Sequence, residues 1–589
     1  MKTFACRMML LVLVGLMAWM NGNAQTVING GEVSGKWTKA NSPYQVNDNI
    51  TVAQGTTLEI EPGVTVAFAN NVGLTINGQL TAEGTENDSI IFTRQSDNWG
   101  GLTFSAAGES ESVVKYASIE YVNKSGYGGV SITAGTVTLS NNMISNNTAS
   151  VSTTISNSSC GGGVYIGGGT VTLSDNNISD NTASANSSYS TYSYGGGIYI
   201  ALGTVILSNN MISNNTASVN STYTSDSYGG GVYIGGGTVA LSDNTISNNT
   251  ASTSTFYSSY SYGGGVYIGG GAVTLSDNTI SNNTASANSS ANISSYGGGI
   301  YMDKSTVNMY NNIISGNSAI SAGGGVYVSN MIAGIRNNVI SNNKHAASKS
   351  GNGGGISLYN SSSMIINNTI AYNDAENGGG MYCAAGSSPV VIDNILYGNT
   401  SSLESQVFIN DNNSAPKMLY NLNQCGCLGY AAGVNYNWDA NYDASNFDAN
   451  PQFVNYALQN YRLKETSPCI NAGIEDVTGL GLPNADIDGN IRIYGGRIDI
   501  GAYEYGAPTG IDHVTVQNRL MIYPNPSRDG IFQLAMDNNE VNWTVYDIKG
   551  KQISQGNTAW VDLSFCQKGI YVIKVQTGKD IVSAKLVKL

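Results

Sequence analysis

Between residues 125 and 404 the apolar side chains fall in short alternating runs. In 161–194 they are Val164-x-Ile166, Val171-x-Leu173 and Ile178. A period of two predicts strands with one buried face. Val164, Ile166, Val171, Leu173 and Ile178 would line a core, with Tyr165 and Thr172 pointing outward. Turn residues separate the runs, so each unit reads as three short strands.

The unit recurs. Gly-Gly-Gly-(Val/Ile)-Tyr-(Ile/Val/Met) places its first apolar residue at Val164, Ile198, Val232, Val266 and Ile300, each 34 residues after the last, and Val130 leads a degenerate copy. Val326, Ile356 and Met381 follow at spacings of 26, 30 and 25. A second motif, Asn-x-(Ile/Leu)-x-x-Asn, tracks the first. It begins at Asn142, Asn176, Asn210, Asn244, Asn278, Asn312, Asn338, Asn368 and Asn394. A period of 34 also suits paired helices, but Gly triplets, Asn, Ser and Thr form helices poorly, and Val, Ile and Tyr prefer strands. One unit cannot bury its apolar face alone, so the copies must stack into a solenoid. Nine coils about 4.8 Å apart span roughly 40 Å. A bare coil needs about 25 residues, as 353–378 shows. The 34-residue copies add about nine at one place: 182–194, 216–228, 250–262 and 284–296. Stacked, these inserts should form a side wall. The Asn columns fall at bends, where amides can bond along the stack and Asn tolerates left-handed backbone.

The ends differ. Residues 1–24 read as a secretory leader, with Lys2 and Arg7 before the apolar run Met8–Met20, and small Gly22 and Ala24 before a cleavage point at Gln25. No later apolar run is long enough to span a membrane. Residues 521–589 alternate apolar and polar positions, as in Trp543–Asp547 and Ile570–Val575, and predict a small antiparallel sandwich of about seven strands. The resulting division is 1–24 leader, 25–124 N-terminal cap and first coils, 125–404 nine repeat coils, 405–505 closing region, 506–520 linker and 521–589 sandwich.

Composition narrows the chemistry. Charged residues make up 11% of the 589, against about 25% in an ordinary soluble chain. A net charge of −14 speaks against a nucleic-acid partner, whose phosphates call for Lys and Arg. No Pro lies between Pro62 and Pro389, as suits a chain whose backbone N–H groups are needed in ladders. After the leader the cysteines are Cys160, Cys383, Cys425, Cys427, Cys469 and Cys566, too scattered for a disulfide framework, and Cys425 with Cys427 reads as a loop feature.

Candidate chemistry is sparse. Residues 125–303 contain no Lys, Arg, His or Glu. Asp175, Asp243 and Asp277 share one repeat position with Asn141 and Asn209, which reads as a turn column and is the one place whose residue type would admit Ca2+. No other cofactor is expected. The first charged cluster holds Arg336, Lys344, His345, Asp374, Glu376 and Asp393. Arg336, Lys344 and Asp374 are the candidate catalytic groups if the chain is an enzyme, since polysaccharide cleavage needs a base or paired carboxylates. The stronger candidates are aromatic. Tyr165, Tyr199, Tyr233, Tyr267, Tyr301 and Tyr327 form one outward column. Tyr189, Tyr223 and Tyr257 form a second, and Tyr194, Tyr228, Tyr262 and Tyr296 a third. Flat amphipathic rings on a rigid face suit a sugar or protein ligand, and equally suit ladders that brace the sheets themselves.

Several stretches resemble known families. The paired Gly-Gly-Gly-(Val/Ile) and Ile-x-x-Asn motifs are similar to the repeats of polymorphic outer-membrane proteins, with Gly for Ala and Ile for Phe. The whole stack resembles the right-handed parallel β-helix of the pectate-lyase-like superfamily. Ile60–Val64, Gly78–Ala82 and Trp99–Phe104 fit its opening coils. Asn450–Phe453, Ser467–Gly473, Asp486–Asn490 and Arg497–Glu504 resemble the closing region of secreted bacterial β-helices. Tyr523-Pro-Asn-Pro526, Asp529–Phe532, Tyr546–Gly550, Asp562–Ser564, Gly569–Tyr571 and Lys585–Lys588 resemble the type A C-terminal sorting domain of the type IX (Por) secretion system. That resemblance implies a Bacteroidota-type Gram-negative source, the type IX machinery as partner through 521–589, and a mature chain released or held at the cell surface. The expected fold is all-β, a right-handed parallel β-helix followed by a small antiparallel β-sandwich. The expected function is a non-enzymatic adhesin or glycan-binding scaffold, with polysaccharide or a host-surface ligand as partner. The alternative is a polysaccharide lyase or glycoside hydrolase, and a passive surface layer is a third reading.

Overall fold

The computed structural model describes residues 25–106, 111–153, 157–345, 351–403, 405–426, 428–508, 521–523, 527, 530–535, 542–547, 551–577 and 580–588. The leader 1–24, most of the linker 506–520 and Cys427 lie outside them. Contacts divide the chain into two units, 1–507 and 508–589.

The first unit is a three-sided parallel stack. Each coil gives one strand to each side, and among the described residues the sides hold 15, 15 and 14 strands. In one coil these are a Gly-flanked strand, Val164–Ile166, a Thr-rich strand, Thr170–Ser174, and an Asn-flanked strand, Asn177–Ser179. Each pairs in register with its equivalent 34 residues on, so Val164 lies beside Ile198 and Leu173 beside Leu207. The alternation works as expected: Val164, Ile166, Leu173 and Ile178 are fully buried, and Val171 nearly so. The like-on-like columns form one continuous core from Trp37 to Met418. Each such side chain contributes on the order of 1.5–3 kcal/mol by leaving water.

Two adjacent positions make each corner, and they divide the labour. The first takes the left-handed turn: Asn141, Asp175, Asn209, Asp243 and Asp277 all have φ between 56° and 58°. The second carries the amide. Asn210 Nδ2 donates to Asn244 Oδ1 at 2.9 Å and to the Leu173 carbonyl at 2.9 Å, and Asn210 N donates to the same Asn244 oxygen at 2.9 Å. The pattern repeats up the stack, and a parallel column runs through Asn147, Asn181, Asn215, Asn249, Asn283, Asn317, Asn343, Asn373 and Asn399. Burying so many amides is tolerable because nearly every donor and acceptor has a partner.

The inserts depart from the three-strand expectation: a 34-residue unit has five strands. Thr182–Ser187 runs outward and Tyr192–Tyr194 returns, and these stack into parallel sheets of eight and five strands. The predicted side wall is therefore a two-layered fin. Its interior holds Ala183, Ala185, Thr191 and Ser193 in one coil, and Ala251, Thr253, Ser259 and Ser261 in another. Hydroxyls buried there are satisfied by the facing backbone, as Ser193 Oγ to Ala183 O at 2.7 Å and Thr253 Oγ1 to Tyr260 O at 2.7 Å. The Gly triplet forms the neck. Gly161 takes the left-handed turn at φ 60°, a Cβ on Gly162 would press into the Thr182 and Gly196 backbones, and one on Gly163 would crowd the Asn181 amide.

After the last coil the chain turns back. Residues of 446–505 lie along the outer Asn-flanked side, where Phe453, Tyr461, Leu463, Ile500 and Tyr503 form a second core with Val339, Ile395 and Leu422. Asn367 Nδ2 donates to the carbonyls of Asp499 and Gly501, both at 2.8 Å. Arg492 and Glu504, both almost wholly buried, pair there at 3.3 Å.

The second unit is antiparallel. Its described strands form a three-stranded sheet, Met521–Tyr523, Ile531–Ala535 and Trp560–Asp562, and a four-stranded sheet, Asn542–Asp547, Gln552–Gly556, Gly569–Thr577 and Asp580–Lys588. Phe532, Leu534, Trp543, Val545, Val561, Ile573 and Leu586 fill its core, as the predicted sandwich requires.

Candidate functional site

The outward Tyr of each Gly-flanked strand stacks on its copy in the next coil. Tyr165–Tyr199, Tyr199–Tyr233, Tyr233–Tyr267, Tyr267–Tyr301 and Tyr301–Tyr327 have ring centroids 4.9–5.2 Å apart and planes within 7° of parallel. The fin's return strand carries a second stack, Tyr194–Tyr228–Tyr262–Tyr296, spaced 5.0–5.7 Å. The stacks meet edge to face across the neck, Tyr228 on Tyr267 at 4.9 Å and Tyr262 on Tyr301 at 5.1 Å. Ring faces in both columns are thus turned to other rings. Half-burial raises the phenol pKa values, to about 12 for Tyr165 and Tyr233, because a phenolate would be poorly solvated there. A third column, Tyr189, Tyr223 and Tyr257, is half-exposed on the fin, with Phe256 beside it.

The main ladder breaks once and resumes. Strand register places Ser357 after Tyr327, then Tyr382, then Phe408. Tyr382 and Phe408 stack at 5.7 Å and 7°. The fin's return sheet ends earlier, at Asn292–Tyr296, and its column goes on only as isolated bridges from Tyr296 to Ala322 and from Ala322 to Asn352. A groove of about 550 Å³ lies on the sorting unit, lined by residues of its strands such as Asn542, Thr544 and Lys574. The groove at the ladder's break measures about 470 Å³ and is bounded by Tyr296, Tyr327, Ser357, Tyr359, Tyr382 and Asn410, with Ile293 and Ser294 from the fin's last strand. Ser357 is its floor at 1% exposure, Tyr327 closes one end at 8%, and Tyr359 stands at the rim at 47%. None of the described lining residues is charged. Sequence reading followed the column only to Tyr327. The signal lay in Ile356-Ser357-Leu358-Tyr359, where Ser replaces the motif's Tyr.

The charged candidates separate. Lys344 and Asp374 are bridge partners on adjacent coils, and Thr400 Oγ1 donates to Asp374 Oδ1 at 2.5 Å. Arg336 lies on the Thr-rich side instead, where Nε donates to the Leu480 carbonyl at 2.7 Å and so holds the returning segment. His345 is largely buried, which lowers its pKa, with Nδ1 3.3 Å from the Ile320 carbonyl. Asp175 and Asp277 accept amide hydrogens from Asn209 and Asn311 one coil on, as turn residues do. Among the described residues no three His, Cys, Asp or Glu side chains converge to hold a metal. Cys425 is disulfide-bonded, whereas Cys160, Cys383, Cys469 and Cys566 are free thiols.

Comparison with known proteins agrees with both units. Residues 31–140 match the pectate-lyase-like β-helix domain, and residues 521–589 match the secretion system C-terminal sorting domain. The chain joins a pectate-lyase-like β-helix to a Por sorting domain. The sorting domain marks this β-helix protein for type IX export, to the cell surface or beyond it, and makes that machinery its partner. A 79-residue stretch of the β-helix protein is 40% identical to Protein bark beetle of Drosophila melanogaster, covering 13% of this chain and 2% of that one. No helix among the described residues is long and apolar enough to cross a membrane.

Proposed function

We propose that the exported β-helix is a non-enzymatic adhesin or glycan-binding scaffold. One observation carries this reading: a groove walled by four tyrosines and Asn410, with no charged side chain among its described lining residues, where the aromatic ladder breaks. Tyrosine offers a large apolar face and a hydroxyl at low entropic cost, which suits a polyhydroxylated ligand. The rigid stack beneath it holds the groove in one shape, so little ordering accompanies binding. Among the charged candidates, Lys344 and Asp374 stand together while Arg336 is engaged elsewhere.

The test uses the full exported chain on a glycan array and on immobilised host matrix, with product release followed in parallel. Retention of a polysaccharide without new reducing ends or unsaturated products is the expected result. Turnover that disappears in Lys344→Ala or Asp374→Ala would replace this reading with an enzymatic one. Absence of any retained ligand would leave a passive layer protein. Binding that persists in 10 mM EDTA would also remove Ca2+ from the account.

A further inference from the structure

The returning segment is tied to the stack at one corner. The left-handed corner position that is exposed at Asp175, Asp243 and Asp277 recurs as Asn337, Asn367 and Asp393, and there it is fully buried. Two legs of the segment cover it. Ile474 N donates to Asp393 Oδ1 at 2.9 Å and Gly501 N to the Asp393 carbonyl at 2.8 Å, while Gly473 N donates to the Ile498 carbonyl at 2.9 Å and joins the legs. Asn367, one coil earlier, suits such burial, because its amide donates to two segment carbonyls. Asp393 does not. Its Oδ2 is buried without a hydrogen-bond partner among the described residues.

The surrounding charge sharpens the mismatch. The cations facing Asp393 are Arg497 and Arg492, both from the segment. Arg497 donates to the Gly473 carbonyl, lies 5.8 Å over the Tyr420 ring of the next coil, and faces the exposed Glu475 at 3.9 Å. Arg492 pairs with Glu504 at 3.3 Å and is shared with Asp486 and Asp499. Two guanidinium groups thus stand among five carboxylates, and neither is bonded to Asp393 among the described residues. A carboxylate taken out of water without a full set of partners is costly, and the protonated form is then favoured. Burial accordingly pushes the Asp393 carboxyl up to about 7, against the opposing pull of Ile474 N and the two arginines.

We infer that the closing segment is a proton-operated clamp: it docks on the last coils with Asp393 protonated, and loss of that proton loosens residues 471–501 from the stack. Linkage sets the direction. Undocked and solvated, an aspartate titrates near 4, so below that pH both states carry the proton and docking has its full strength. As pH rises from there through about 7, the undocked state ionises first and docking weakens. Above that both states are ionised and the loss is complete. Loosening uncovers the outer Asn-flanked side around Val339, Ile395 and Leu422.

Hydrogen exchange of the full exported chain at pH 5 and pH 8, corrected for intrinsic exchange, tests the clamp. In the wild type the opening constant of 453–503 should rise about tenfold or more between the two, while the core strands Val232–Ile234 and Val266–Ile268 keep their protection. Asp393→Asn keeps the neutral form at every pH, and with folding checked by circular dichroism it should hold the opening constant near its pH 5 value. Glu475→Gln changes only the exposed partner of Arg497 and should behave as the wild type does. A rise that survives in Asp393→Asn, or vanishes in Glu475→Gln, would overturn the assignment to Asp393. Wild-type opening that stays constant or falls between pH 5 and pH 8 would overturn the clamp itself, and this outcome depends on no variant.

Discussion

The three-sided core and the fin are both parallel stacks with the same 34-residue period, yet they cohere by different means. The core is built of Ile, Val and Leu columns removed almost wholly from water. The fin interior is Ala, Ser and Thr. Small side chains release little apolar area, and their buried hydroxyls contribute only if each finds a partner. What the fin lacks in its interior it gains at its base, where two tyrosine stacks clamp its return strand against the core. The difference teaches that the fin is a dependent structure. It should open locally at a lower free energy than the coils that carry it.

The sharpest way to break this arrangement is at the neck. Gly230→Ala would drive a methyl into the Thr250 and Gly264 backbones, so neither coil can keep its path. We expect loss of soluble chain or a separate early melting step by calorimetry. Next comes the core. Leu241→Ala should cost about 2–5 kcal/mol, read from denaturant unfolding. In the fin, Tyr228→Ala removes rings stacked at 5.1 and 5.0 Å and an edge contact at 4.9 Å. Aromatic pairs contribute about 0.5–1.5 kcal/mol each beyond burial. Hydrogen exchange should therefore rise in 216–228 and 250–262, while the core strands Val232–Ile234 and Val266–Ile268 keep their protection. Equal loss of protection in core and fin would show that the two are one cooperative unit.

The smallest effect is alkaline. Tyr233 titrates near pH 12 in the folded chain instead of near 10, because burial disfavours the phenolate. Below pH 10 both states keep the proton and the ladder has its full stability. Between pH 10 and 12 the unfolded chain gives up the proton more readily, so stability falls as pH rises. Tyr233→Phe should flatten that fall over the same window, measured by denaturation at stepped pH. An identical pH slope in both chains would remove Tyr233 from the account.

Much of this was legible in the sequence because repetition amplifies weak signals. Val164, Ile166, Val171, Leu173 and Ile178 went to the core as the alternation required, and the Asn columns became amide ladders. The fin's strands were not legible, because Thr182-Ala-Ser-Ala185 alternates between small residues that carry almost no hydrophobic contrast. The return of the closing segment was hidden for another reason: Arg336 and Leu480 are 144 residues apart, and no local pattern announces their contact. For the site, the tyrosine columns could be read as columns. That their faces are turned to one another depends on register and fin length together, and the break in the column at Ser357 depends on register.

The amide ladders have one more consequence. Each Asn of the 34-residue copies bonds only to the coil before and the coil after, and those partners are chemically the same at every level. Excising 198–231 would bring Val232 beside Val164 and Asn244 beside Asn176 with no mismatch, since the removed stretch is one full period. The number of copies is therefore free to drift when near-identical coding units recombine. Such drift would change the length of the fin by about 4.8 Å per unit and leave the coils after Tyr327 as they are. The stack can thus lengthen or shorten by whole coils without disturbing either of its ends.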